Sequence, residues 1–220
     1  MERYLEYITS GLNIKWKRKQ LLFQKLSTII AALIFGLFPG VILRSYWLVI
    51  GVLMVAISAI SSMASFVLLK KKIIFRTYLV FQVILYADWI LQFILCQISF
   101  YTMRYGFNGY VLLILLPLFL PLCIGKINAV KLRNGSYKKN NATGVIFVGS
   151  FSGVGIIGMF LAKLYLKNIS QDFAVLFLLF CFSIVTALFS IGLLSIQKLY
   201  YLSKIEQSQD KILDIYVNLD

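Results

Sequence analysis

The chain predicts an all-α integral membrane protein. It reads as a polytopic bundle of six transmembrane helices, with both termini cytoplasmic and a short interfacial helix before the first span. Three observations in the 220 residues lead there. The apolar runs are long and continuous, the loops between them alternate between basic and nearly uncharged, and aromatic residues gather where runs meet loops.

Composition sets the class. Hydrophobic residues make up 60% of the chain, charged residues 14%, and mean hydropathy is +0.87. One compact core cannot hide that much apolar surface, so lipid must act as part of the solvent. A helix needs roughly 20 apolar residues to cross the hydrocarbon layer. The qualifying runs are 26–43, 46–69, 73–100, 107–124, 143–166 and 173–196. They are continuous rather than alternating, which selects helices over barrel strands. The third exceeds the need and is expected to tilt or extend past the bilayer. Arg44 and Ser45 form a tight turn that pairs the first two spans as a hairpin. No cleavage pattern follows the first run, so it reads as a retained anchor.

The net charge of +14 fits anionic headgroups better than nucleic acid, because the basic residues flank the apolar spans. Arg3, Lys15, Lys17, Arg18, Lys19 and Lys25 precede the first span. Lys70, Lys71, Lys72 and Arg76 lie in the second loop, Lys126, Lys131, Arg133, Lys138 and Lys139 in the fourth, and Lys198, Lys204 and Lys211 in the tail. Eighteen basic residues thus fall on one side, against Arg44, Arg104, Lys163 and Lys167 on the other. The richer side is expected to be cytoplasmic. The division is a basic interfacial segment (1–25), a transmembrane domain (26–197) and a tail (198–220). Tyr4, Leu5, Ile8 and Leu12 recur at helical spacing in the first segment, and Ser10-Gly11 is a natural break. The stretch 133–141 reads as a mobile polar loop.

Asp88 is the acidic residue within a span, near the middle of the third. A charge at that depth is expensive and marks a functional position by default. Helical spacing puts Thr77, Asp88, Gln92 and Ser99 on one face, which must look into the bundle. That face is the expected substrate- or partner-binding surface. No basic residue stands out at matching depth, so Asp88 is expected to be neutralised by protonation. Asp88→Asn is then expected to abolish activity and leave folding largely intact.

The fifth span carries Gly149, Gly153, Gly155 and Gly158, small residues that let helices approach closely within the chain, in a homo-oligomer or against a partner. Gly51, Ser58, Ser62 and Ser65 form a similar stripe in the second span, and Ser183, Ala187 and Ser190 in the sixth. Cys96, Cys123 and Cys181 lie in apolar runs without metal or disulfide spacing. Pro39-Gly40, Pro117 and Pro121 read as kinks.

There is no histidine, no aspartyl pair within the spans and no acidic cluster for Mg²⁺. No metal, cofactor or enzymatic role is expected. The topology alone resembles the membrane subunits of some bacterial ABC exporters, including small permeases for bacteriocin self-protection, although the Lys70–Lys72 loop is short for a coupling element. The resemblance implies a permease-type transport subunit that meets an ATPase or regulator at its basic loops, Lys70, Lys71, Lys72, Lys131, Arg133, Lys138 and Lys139. The alternatives are a non-catalytic immunity or partner-binding protein and a membrane assembly factor.

Overall fold

The computed structural model of the protein describes residues 2–9, 18–37, 46–70, 75–137 and 171–209. Every regular element among them is helical. Helix α1 is Glu2–Thr9, and α2 is Arg18–Ala32, prolonged by a wide π turn at Leu33–Leu37. Helix α3 is Tyr46–Lys70 and α4 is Phe75–Tyr105. A 3-10 stretch, Gly109–Leu118, leads into α5, Phe119–Arg133. Helix α6 is Gln171–Ile191 and α7 is Leu194–Gln209.

Four helical segments are long and apolar enough to cross a membrane: Leu48–Leu68, Phe75–Tyr105, Gly109–Arg133 and Val175–Glu206. They coincide with the second, third, fourth and sixth apolar runs. The first run is represented by the shorter apolar helix Leu21–Ala32 and the π turn. The fifth run, with Gly149, Gly153, Gly155 and Gly158, lies outside the described residues.

Helix α4 is the axis of the bundle. Its 31 residues span roughly 46 Å at 1.5 Å per residue, well beyond a hydrocarbon core of about 30 Å. Buried side chains cover most of its circumference, while Leu91 is exposed on the remaining side. Near its start, Phe75, Tyr78, Leu79, Phe81 and Leu85 pack with Ile8 of α1, Leu21 of α2 and Leu202 and Ile205 of α7. Farther along, Ile90 and Ile94 meet Val111 and Ile114 of the 3-10 stretch, with Phe189 against them. Cys96 joins Ala32 and Met54. Cys123, by contrast, is exposed on α5. The outward faces of α2, α3, α5 and α6 carry Phe23, Ile30, Ile60, Met63, Leu122 and Phe180 exposed, as in helices solvated by lipid.

Two close approaches require glycine. A Cβ on Gly51 would come within 2.5 Å of the Gly36 carbonyl oxygen, so α3 lies directly on the π turn. A Cβ on Gly192 would run into the Tyr86 ring. Gly192 sits in the turn between α6 and α7, where the backbone passes over that ring. The sixth apolar run therefore continues helically past Ile196 to Gln209, but with a break at Gly192 and Leu193.

The start of α4 and the α7 tail meet at one end of the bundle, where Arg76 Nη1 lies 3.5 Å from Glu206 Oε2. Helix α1 sits at the same end. Tyr7 donates to Gln197 Oε1 at 2.6 Å and makes edge contacts with Tyr137 and Tyr201. Tyr137, within the stretch expected to be a mobile loop, is thus packed. At the far end of α4, Arg104 Nε pairs with Asp172 Oδ1 at 2.6 Å.

Candidate functional site

The site lies where α2, α3 and α4 meet. Asp88 is about 13 residues into α4, roughly 20 Å from the basic end. It is 2% exposed, and its partners come from all three helices. Lys25 of α2, 1% exposed, places its ammonium on Asp88 Oδ2 and donates to Ser61 Oγ at 2.7 Å. Ser61 Oγ lies 2.8 Å from the same carboxylate oxygen, and Ser58 Oγ donates to Asp88 Oδ1 at 2.9 Å. Gln92, one turn along α4, points its Nε2 at the Thr28 carbonyl (3.0 Å), Ser58 Oγ (2.5 Å) and Asp88 Oδ1 (3.2 Å).

The local sequence explains this convergence. Ser58, Ser61 and Ser65 recur at helical spacing on α3, so their hydroxyls share the face turned towards α4. Small side chains there let α3 approach closely enough for a serine to reach a carboxylate. Asp88 and Gln92 are four residues apart and project together. The Thr28 hydroxyl turns back to the Lys25 carbonyl at 2.8 Å, which leaves the Thr28 carbonyl for Gln92.

The expectation of an unpaired, protonated Asp88 is corrected by Lys25. A basic residue does lie at matching depth, on a different helix. In the sequence Lys25 groups with the cytoplasmic basic residues because it immediately precedes the first uninterrupted apolar run, 26–43. The apolar helix begins earlier, at Leu21, and folds Lys25 into the bundle. A carboxylate and an ammonium in contact in a dry interior stabilise each other's charge. Removing either leaves the other buried and unpaired, at a cost of several kcal/mol. The idea that Asp88→Asn leaves folding largely intact is corrected for the same reason.

The structure brings Asp88 and Gln92 together and leaves the other two residues of the predicted face apart from the cluster. Thr77 is half-buried and about 17 Å along the axis from Asp88. Ser99 is fully buried, and its hydroxyl donates to the Leu95 carbonyl of its own helix at 2.8 Å. Of the basic loops, Lys131 and Arg133 are exposed on the last turn of α5. Lys70 ends α3, while Lys71, Lys72, Lys138 and Lys139 lie outside the described residues.

A second polar contact joins α4 to α6. Gln97 Nε2 donates to Thr186 Oγ1 at 2.9 Å, and Ser183 Oγ donates to Gln97 Oε1 at 3.0 Å. Nine residues separate Gln97 from Asp88, which is about 900° of helix and therefore the opposite face. Gln97 and Thr186 are completely buried with their polar atoms paired. The Asp88 cluster differs: the buried Gln92 Oε1 has no hydrogen-bond partner among the described residues. No protein-family model matches the chain, and the curated proteins and solved structures compared with it contain no match either.

Proposed function

We propose that this protein is a six-span permease-type transport protein of the cell membrane, possessing both termini in the cytoplasm and a polar station at Asp88. The observation that carries the reading is the Lys25–Asp88 ion pair, held by Ser58, Ser61 and Gln92 at the middle of a largely apolar bundle. An ion pair at that depth contributes little net stability over apolar packing. Charged groups inside transmembrane segments are rare and associated with substrate and ion pathways. The gathering of Arg76, Lys131 and Arg133 with α1 and the α7 tail at one end of the bundle suits a cytoplasmic surface that meets an energising or regulatory partner.

The test has two arms. Purification in mild detergent identifies what accompanies the protein, and an ATPase supports an exporter subunit. Reconstitution into liposomes asks whether solute flux responds to Asp88→Asn. Flux indifferent to that substitution, with no ATPase recovered, overturns the reading.

The second reading, a non-catalytic immunity or partner-binding protein, is favoured by a different observation. The groups of the Asp88 cluster bond mainly to one another, as a structural lock would. Recovery of a toxin or a larger membrane complex in the same purification supports it.

A further inference from the structure

Helix α2 is peripheral. Phe23, Leu26, Ile30, Leu33 and Ile34 are exposed on its outer side. Its side-chain hydrogen bonds to the rest of the bundle converge on one place: Lys25 on Asp88 and Ser61, and Gln92 on the Thr28 carbonyl. Lys25 lies seven residues, about 10 Å, from the start of α2 at the basic end. A long lysine stem shortens that route further, because its head can reach towards the interface while the stem stays in apolar surroundings.

The carboxylate has an alternative occupant. When Asp88 carries a proton it becomes a donor as well as an acceptor. A donor there needs an acceptor, and Gln92 Oε1 is one: buried, on the adjacent turn of the same face and without a hydrogen-bond partner among the described residues. The ammonium of Lys25 cannot take the same place once the negative charge is gone, because a buried charge without a counter-charge is costly. Lys25 is the charged group that faces Asp88 among the described residues. Helix α3 presents serines there and α4 itself presents Gln92, while α6 meets the opposite face of α4, with Thr186 at Gln97.

Extending the transport reading, we infer that Asp88 is a proton-binding site whose built-in competitor is Lys25. A proton from water binds the carboxylate, Asp88 turns its O–H to Gln92 Oε1, and the still-protonated Lys25 head withdraws towards the basic end along its own stem. Loss of the proton restores the pair. One positive charge on the bundle interior is thereby exchanged for another, and the Lys25 side chain is the group that moves.

Infrared titration of the purified protein tests this without any transported solute. The carbonyl stretch of a protonated, buried carboxyl is followed across about pH 4 to 9, with Asp88→Asn as the assignment control. The wild type, its carboxylate held ionised by Lys25, is expected to show the band reversibly only at the acid end of that range, with helical content unchanged. Lys25→Gln is expected to show it at a midpoint at least about one pH unit higher, a roughly tenfold gain in proton affinity from loss of the competitor. Lys25→Arg stays close to wild type. If Asp88→Asn does not fold, the shift in Lys25→Gln makes the assignment. Identical midpoints in wild type and Lys25→Gln, or no reversible band in either, overturn the inference. A titration of the expected kind together with flux indifferent to Asp88→Asn sinks the transport reading alone.

Discussion

Tyr7 and Gln197, 190 residues apart in sequence, are joined by a hydrogen bond of 2.6 Å that fastens the first helix to the last. Gln197 passes the connection on by donating to the Gly125 carbonyl of α5 at 2.8 Å. Tyr7→Phe deletes the donor and is expected to cost about 1 kcal/mol, or about 2–4 °C in a thermal melt in detergent. Burial pushes the Tyr7 hydroxyl up to about 12, above its usual value near 10. The neutral phenol is favoured in the fold, so its contribution is complete below about pH 10 and is lost as pH rises through about 12. The difference between wild-type and Tyr7→Phe melts should therefore stay constant to about pH 10 and narrow above it. A constant difference up to pH 12 would contradict this.

The Lys25–Asp88 pair predicts a non-additive stability pattern. Lys25→Ala and Asp88→Ala should each destabilise by about 3 kcal/mol or more, because each strands a buried charge. The double replacement Lys25→Met with Asp88→Leu should lie close to wild type, since apolar substitutes of similar volume need no counter-charge. Melts of the three variants check it, and a double variant as unstable as the sum of the singles would refute the pairing.

Gly192 predicts a steric pair. Gly192→Ala drives a methyl into the Tyr86 ring and should cost about 1–3 kcal/mol. Shortening the ring in Tyr86→Ala should remove most of the extra penalty of Gly192→Ala. Gly51→Ala has no such remedy, because the obstacle is the Gly36 backbone. Expression and thermal midpoints of these four variants discriminate relievable from unrelievable contacts.

Arg104 and Asp172 make a prediction about both stability and sidedness. The guanidinium beside Asp172 holds its carboxyl below the usual range. Any low-salt contribution of this pair is present above the ordinary carboxylate value and is lost as pH falls through the lowered one. Both groups are exposed, so Asp172→Asn should leave the thermal midpoint unchanged at physiological salt. A cysteine at 104 should react with an impermeant reagent added outside intact cells, and one at 131 should not. A reporter fused after Asp220 that reads out as extracellular would overturn the proposed orientation.

The helical class, the central span and the position of Asp88 were legible because each rests on local signals: continuous apolarity and a lone acid within it. The fourth run misled in detail. Its composition suits an α-helix, yet Gly109–Leu118 winds as a 3-10 helix, with Asn108 capping its start and Pro117 withholding an amide near its end. Lys25 was misplaced because a lysine at the margin of an apolar run looks like an interfacial anchor. Leu21, Leu22 and Phe23 ahead of it were the available signal that the apolar helix had already begun. In the sequence Ser58 stands out only as a small residue and Gln97 not at all, since hydrogen bonds between helices depend on which faces the fold sets together.

Gln97 grips α6 from the face of α4 opposite Asp88, so α4 is keyed on both sides. A helix keyed in this way cannot roll about its own axis: turning Asp88 towards α6 would tear Gln97 from Thr186 and Ser183. Rearrangement around Asp88 is therefore left to the neighbours that lean on it. The axial register between α4 and α6 is set by Gln97, lodged between Thr186 and Ser183.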